Sequence, residues 1–223
     1  MSPVAEPTLR TESRLYKEGA RYVIGVDEVG RGAIAGPVAV GVCVIDAKVG
    51  RMPHGLRDSK LLSEKRREEL APLASQWVRY SAVGLATAQE VDEVGIIAAL
   101  GLAGVRALVA VEQAGAEFGE AVLLLDGSHN WLAPAGVTAI DVRTRVKADR
   151  DCASVAAASV IAKVHRDRMM IDAHPEVPHY NWQSNKGYAS SEHYDAIRAH
   201  GPSALHRLTW LHKGQPLEGV DVA

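Results

Sequence analysis

Residues 22–45 read YVIGVDEVGRGAIAGPVAVGVCVI. Two β-rich runs flank a glycine-rich turn: 22–26, rich in β-branched residues, and 38–45, reading VAVGVCVI. Branched side chains suit a pleated, half-buried surface, and Gly41 is the weak point of the second run. The first run stops at two adjacent acids, Asp27 and Glu28. Gly30 and Gly32 follow directly. Glycine permits positive φ, so successive backbone N–H groups can turn to one side and make a nest for an anion or a hydroxyl. A bare G-x-G is also an ordinary hairpin turn. It is no dinucleotide fingerprint here, because the second strand starts before a helix could follow.

Outward from this stretch, the pattern predicts a turn region around Pro53, Gly55 and Asp58, then a charged helix capped by Ser63. A third strand is expected over 77–85. Thr87-x-x-Glu90 forms a capping box, and 96–115 continues helical. AVLLL at 121–125 reads as a buried strand ending at Asp126, with one more strand expected over 137–142. Residues 153–174 predict a long helix whose first half, ASVAAASVIA, is apolar nearly all round and therefore buried. Ser190 or Ser191 caps a last helix that runs to about residue 200 and is stopped by Gly201-Pro202. Residues 206–223 carry no clear signal. This order implies an α/β domain with a mixed sheet flanked by helices, and a helical C-terminal part.

Two acidic positions terminate apolar strands, Asp27-Glu28 and Asp126. One acid at a strand end is commonly a turn former. Two such ends together point to a ligand site, since open α/β sheets gather ligands beyond their strand ends. Three carboxylates there repel one another and lose hydration unless a cation neutralises them. Oxygen-only ligands favour Mg²⁺ or Mn²⁺ over zinc. Asp149 and Asp151 in VKADRDC are further candidates, each also a plausible cap for the helix that follows. Spacing does not choose between them.

The chain has 223 residues, enough for one domain or one with an appendage. Its 47% hydrophobic and 23% charged content excludes a disordered chain. The net charge of -2, from 25 Lys+Arg against 27 Asp+Glu, lacks the basic surplus of a nucleic-acid binder. Cys43 and Cys152 are far apart, which excludes a zinc ribbon or disulfide scaffold and points to a reducing compartment. Cys43 reads as a small core residue, and Cys152 as an inert one at the start of the buried helix. No apolar run approaches the roughly 18–20 residues of a membrane span, and the N-terminus lacks the apolar core of a signal peptide. A cytoplasmic protein is expected. Residues 1–20 are polar, contain two prolines, and are expected to carry little structure.

DEVGRG at 27–32, DSK at 58–60, DG at 126–127, KAD at 147–149, AAASVIAKVHRDR at 156–168, NKGY at 185–188 and HGP-x-x-x-HR at 200–207 occur in the order seen in bacterial ribonuclease HII, the type 2 ribonuclease H. The similarity runs from about residue 22 to about residue 210. It implies an RNase H-like fold with a flexible tail at 1–20, a catalytic domain at 21–212 that turns helical from about 170, and a C-terminal tail at 213–223. It implies endonucleolytic hydrolysis of the RNA strand of RNA–DNA hybrids. It also implies incision 5′ of ribonucleotides embedded in duplex DNA, leaving 3′-hydroxyl and 5′-phosphate ends, with roles in ribonucleotide and RNA-primer removal. The implied partner is nucleic acid, acted on by a monomer away from membranes.

The four metal-binding acids of that family map onto Asp27, Glu28, Asp126 and Asp149, which decides against Asp151. Gly30, Arg31 and Gly32 resemble the loop that reads the 2′-hydroxyl, the group that separates RNA from DNA. Tyr188 resembles the tyrosine that packs on the sugar following the ribonucleotide. Lys60, Lys163 and Lys186 match motif lysines, with phosphate contact as their expected role. Ala33 stands where proline is common, Leu61 replaces a lysine, Ala148 replaces the glycine of KGD, and Leu208-Thr209-Trp210 replaces the usual RSF. None of these touches an inferred ligand. Of the nine histidines, seven lie from His165 onward in no zinc-like spacing, and His206 is the one expected to matter.

Two-metal hydrolysis is the chemistry such acids support, with Asp27 bridging the two Mn²⁺ or Mg²⁺ ions. Two rivals remain. A DNA-only nuclease of the same fold has no need of a ribose-reading loop, and a non-catalytic binding module would be weakened by four bare carboxylates. With two divalent ions bound, the formal sum moves from -2 to about +2. Clusters of Lys65, Arg66 and Arg67, of Lys163, Arg166 and Arg168, and of Lys186, Arg207 and Lys213 are expected to form a basic track beside the acids.

Overall fold

The computed structural model describes residues 6–211. Five strands form one mixed sheet in the order β3-β2-β1-β4-β5. β1 (Tyr22–Val29) pairs antiparallel with β2 (Val38–Asp46), and β2 with β3 (Tyr80–Ala86). On its other side β1 runs parallel to β4 (Ala121–Asp126), which runs parallel to β5 (Asp141–Arg145). The helices are α1 (Arg10–Lys17), α2 (Glu64–Trp77), α3 (Ala88–Val94), α4 (Ile96–Gln113), α5 (Ala148–Asp151), α6 (Ala153–Ala173), α7 (Trp182–Asn185), α8 (Ser191–His200) and α9 (Leu208–Leu211).

Alternation along the strands divides the core in two. Ile24, Val26, Val40, Val42, Leu123 and Leu125 face α4 together with Leu100, Ala103 and Leu108. Val23, Cys43, Ile45, Val122 and Leu124 face the opposite layer of α6, α2 and α1, with Val155, Val160, Leu70 and Leu15. Close approach makes this layering possible. A Cβ built on Gly25 would overlap the Ser154 backbone, and one on Gly41 would overlap the Ala158 carbonyl, so α6 lies directly on β1 and β2. Covered by sheet beneath and α2 beside, the first half of α6 is buried, as its all-round apolar pattern predicts.

Ser63 and Thr87 cap α2 and α3 as the sequence predicts, the latter with a complete capping box, and Ser190 rather than Ser191 caps α8. Some expectations shift. α2 continues to Trp77, so β3 starts at Tyr80. The fifth strand is Asp141–Arg145, because pairing with Val122–Asp126 selects its register. α4 is, at 18 residues, long and apolar enough by composition to pass for a membrane span, contrary to the sequence expectation. One face of it packs on the sheet, with Ala99, Leu100, Ala103, Ala107, Leu108 and Val111 buried, while Ile97 and Val109 lie on its exposed face. Residues 10–17 correct the expectation that 1–20 carries little structure. α1 is held by tertiary contact: Thr8 bridges to Cys152, Leu15 is buried, and Glu12 is buried against the start of α6. The remaining tail positions, 1–5 and 212–223, and with them Lys213, lie outside the described residues.

Candidate active site

Parallel pairing of β1 with β4 runs from Tyr22–Ala121 to Val26–Leu125. Asp27 and Asp126 are therefore the next residues on neighbouring strands. By alternation both continue the rows that face α6. Asp149 reaches them from α5: its backbone N–H, and that of Ala148, point at the Asp126 Oδ1, at 3.4 and 2.7 Å. Glu28 follows Asp27 and donates its own N–H to Asp27 Oδ1 at 2.9 Å. The sequence's four acids thus meet at one end of the sheet. Asp151 instead pairs with Arg145, away from the cluster.

The electrostatics show how poorly this site holds bare negative charge. Asp27 is 3% exposed. Burial, then Glu28 and Asp126, push its carboxyl well above the usual range. Burial also raises Glu28, with Asp126 adding to the effect and Arg31, 3.7 Å away, opposing it. Asp149 is pushed up to about 6 by burial, then by Asp126 and Asp58. Lys60 is the local counter-charge, 3.9 Å from Asp149 Oδ2. Burial would lower its ammonium, but Asp27, Asp58, Asp149 and Glu28 together raise it. Among the described residues no three His, Cys, Asp or Glu side chains close into a metal cage. The donor set is four carboxylates on three elements whose charged forms disfavour one another. That fits a hard divalent cation drawing its remaining ligands from water and substrate.

The glycine turn sits beside the acids. Gly30 has φ 80°, a conformation strained for any side chain, and a Cβ there would overlap the Arg166 guanidinium. Arg166 and Arg207, both 0% exposed, gather the loop carbonyls. Arg207 donates to Gly30, Arg31 and Gly36; Arg166 donates to Ala35, Pro37 and Lys186. Ile34 and Ala35 donate to the Gly187 carbonyl, both at 3.0 Å, so the 30–36 turn and the NKGY loop are one unit. The Tyr188 ring lies 5.3 Å from Lys163 Nζ and 5.2 Å from the Arg166 guanidinium carbon.

These placements correct the expected basic track. Arg166 and Arg207 are interior carbonyl clamps. Lys163 pairs with Asp167 at 2.7 Å, Arg67 with the same Asp167 at 3.8 Å, Arg66 with Glu69, and Arg168 with Glu68. Lys186 is nearly buried, held by the Gln183 carbonyl and 3.2 Å from Glu64. Lys60 and Lys65 remain exposed. Counting cations along helices does not separate a surface lysine from a buried arginine that serves carbonyls.

The departures from the family pattern are tolerated locally. The Ala33 N–H donates to the Gly30 carbonyl, a bond proline would lack. Lys147, at φ 62°, takes the left-handed position before α5, which leaves Ala148 helical. Asp92 accepts from the Leu208 and Thr209 backbones and so starts α9. Asp58, buried and 3.4 Å from Arg150, joins the acid cluster though sequence reading treats it as a turn residue. Both cysteines are buried, and burial pushes the Cys152 thiol up to about 11, which agrees with its inert reading.

A mixed sheet carrying acids at the ends of adjacent parallel strands, with a carbonyl-clamped glycine turn beside them, defines a nuclease of the RNase H type. The ribonuclease HII family model matches residues 24–213. The chain is 46% identical over 214 residues to a ribonuclease HII of Streptomyces griseus, covering 94% of this chain and 86% of that one. It is 38% identical to a ribonuclease HII of Paracoccus denitrificans, covering 93% and 94%. Among solved structures it resembles the ribonuclease H2 of Pyrococcus horikoshii OT3 (TM-score 0.63, 26% identity, 86% of this chain and 96% of that one). In fold it also resembles Bst-RNase HIII in complex with Mn²⁺ (TM-score 0.68, 24% identity, 87% and 68%). The chain belongs to the ribonuclease HII family, a family of ribonuclease H endonucleases.

Proposed function

We propose that this chain hydrolyses the RNA strand of RNA–DNA hybrids and incises duplex DNA on the 5′ side of an embedded ribonucleotide, leaving 3′-hydroxyl and 5′-phosphate ends. The observation that carries this reading is adjacency: four carboxylates, with Asp27, Glu28 and Asp149 held above their usual range by burial and like charge, stand beside a glycine turn whose carbonyls are already occupied by Arg166 and Arg207. With its carbonyls held inward, the turn can offer backbone groups to a ribose without a long side chain between them.

Asp27, Glu28, Asp126 and Asp149 would hold divalent ions, Mn²⁺ or Mg²⁺. Bound there, such ions supply an activated water and neutralise charge developing at the 3′-oxygen. The chain's own work is positioning. The Ala148 N–H keeps one Asp126 oxygen fixed, Lys60 offsets the remaining negative charge, and Gly30–Gly32 select the 2′-hydroxyl. Tyr188 packs its ring on the next sugar, where a deoxyribose fits flat. Lys60 is the motif lysine open to a phosphate, while Lys163 would have to leave Asp167 to reach one. We place the protein in the cytoplasm as a monomer that removes ribonucleotides and RNA primers from DNA.

The test is cleavage of three substrates, each with Mg²⁺ and with Mn²⁺: an RNA–DNA hybrid, a DNA duplex with one ribonucleotide, and the same duplex without it. Incision of the first two, with a 3′-hydroxyl end, is expected. Equal cleavage of the all-DNA duplex would instead indicate a general nuclease. In the same assay Tyr188→Ala should lose incision at the single ribonucleotide before it loses hybrid cleavage; equal losses would end its assignment to the sugar.

A further inference from the structure

Tyr188 leaves a turn in which Lys186 and Gly187 both have positive φ, 51° and 81°. Two consecutive left-handed residues persist where surrounding structure over-determines them. Each carbonyl of the turn has a dedicated partner. Arg166 takes Lys186 at 2.8 Å, and the Ile34 and Ala35 N–H groups take Gly187. The Tyr188 carbonyl is taken by an imidazole, His193 Nδ1, at 2.9 Å.

That contact fixes a proton. A carbonyl only accepts, so His193 carries its hydrogen on Nδ1. Its Nε2 is then an acceptor, and it receives the Trp182 indole N–H at 3.1 Å. The same Nε2 lies 3.1 Å from His206 Nε2, so His206 is the donor in that pair and shares the single Nε2 lone pair with the Trp182 indole N–H. This agrees with the other side of His206, where the Ser203 backbone N–H donates to Nδ1 at 2.9 Å. One direction of donation satisfies all four imidazole nitrogens: from Ser203 into His206, from His206 into His193, and from His193 into Tyr188. His193 is 0% and His206 2% exposed. Were packing the whole requirement, apolar rings would fill the space without four polar atoms to satisfy.

We propose that His193 and His206 are positioning residues for the specificity side of the site, holding Tyr188 through its carbonyl. The inference rests on the sugar-packing role given to Tyr188 above. It connects the HGP-x-x-x-HR segment, which touches none of the four acids through these bonds, to the ring that follows the scissile ribonucleotide. Losing the chain lets the Tyr188 backbone drift. Incision at a single embedded ribonucleotide, where one junction must be read, should suffer more than cleavage of a long hybrid.

Two substitutions separate positioning from packing. His193→Asn can place an amide N–H where Nδ1–H stood and keep the bond to Tyr188. His193→Gln can place an acceptor where Nε2 stood, keeping Trp182 and His206 but dropping the bond to Tyr188. Expected at saturating Mg²⁺ is a fall in the ratio of embedded-ribonucleotide incision to hybrid cleavage of roughly 3–10-fold for His193→Gln, the worth of one hydrogen bond. The ratio for His193→Asn should stay within about twofold. Equal ratios for the two variants would overturn the proposal. ¹⁵N NMR of the histidine rings in the unmodified protein should show the Nδ1–H form of His193 and the Nε2–H form of His206, and the reverse pair would overturn it regardless of how the variants fold. The Tyr188 ring resonances should move in His193→Gln and stay in His193→Asn. If they do so while Tyr188→Ala leaves the ratio unchanged, the wiring stands and the sugar-packing role is what has failed.

Discussion

Asp126 has one oxygen taken by the Ala148 N–H and one left for other chemistry. Asn presents the same carbonyl oxygen to Ala148, so Asp126→Asn should keep the fold and bind substrate within a few-fold. Cleavage should fall by at least about 100-fold, the scale of losing one group that stabilises developing charge. Gel-resolved cleavage beside a binding titration measures both, and full cleavage by Asp126→Asn at saturating Mg²⁺ would sink the four-acid site. Gly30 supplies the complementary case. Gly30→Ala meets both the positive φ and the Arg166 side chain, and should cost roughly 1–3 kcal/mol of stability together with most of the cleavage of both RNA-containing substrates. A denaturant titration showing an unchanged midpoint would contradict this. At this scale Asp27, Glu28 and Asp126 were legible because carboxylates ending apolar strands are costly without a purpose, and Asp149 was separated from Asp151 only by the family resemblance. Arg166, Arg207 and His193 were not legible, because a buried cation or imidazole that serves distant carbonyls looks in sequence like any surface residue.

Among elements, α6 carries the organisation of the site. It lies on Gly25 and Gly41, and its N-terminus follows α5, which bears Asp149. Cys152 gives α6 no side-chain cap. Glu12 of α1 takes that part: one carboxylate oxygen accepts from the Ser154 N–H at 2.9 Å and from its hydroxyl at 2.8 Å. Burial raises the Glu12 carboxyl, which Ser154 opposes. Glu12→Ala should therefore destabilise the protein by about 1–3 kcal/mol, by leaving those donors unpaired, while Glu12→Gln loses much less. Paired thermal melts check the difference, and equal losses would reduce Glu12 to packing. The four longer strands and the helices α2, α3, α4, α6 and α8 were readable from period and caps, whereas the short helices α5, α7 and α9 carry too few turns to show a period. Nor was α1 readable, since a short polar helix draws its stability from the partner it caps rather than from its own sequence.

For the whole molecule, the His206–His193 pair sets a pH dependence. Burial, then the neighbouring His193, lowers the His206 imidazole to about 4, and burial lowers His193 as well. The unfolded chain binds these protons near pH 6.5 and the folded protein does not, so the stability is present in full above about pH 6.5 and is lost as pH falls toward 4. The melting temperature of the unmodified protein should drop over that window more steeply than that of His206→Gln, and parallel profiles would contradict the buried-neutral assignment. Charge shows the same contrast between average and arrangement. A net charge of -2 argues against a nucleic-acid partner, yet the sum counts carboxylates gathered at one site and arginines sealed inside. Strand and helix periods and the cost of charge at strand ends are local properties, so four strands, the longer flanking helices and the acids Asp27, Glu28 and Asp126 can be read from the residues alone, while Asp149 rests on the family resemblance. Tertiary structure alone decided which cations face solvent, where α1 docks, and how Tyr188 is held, because those depend on the partners that distant segments bring to each buried polar group.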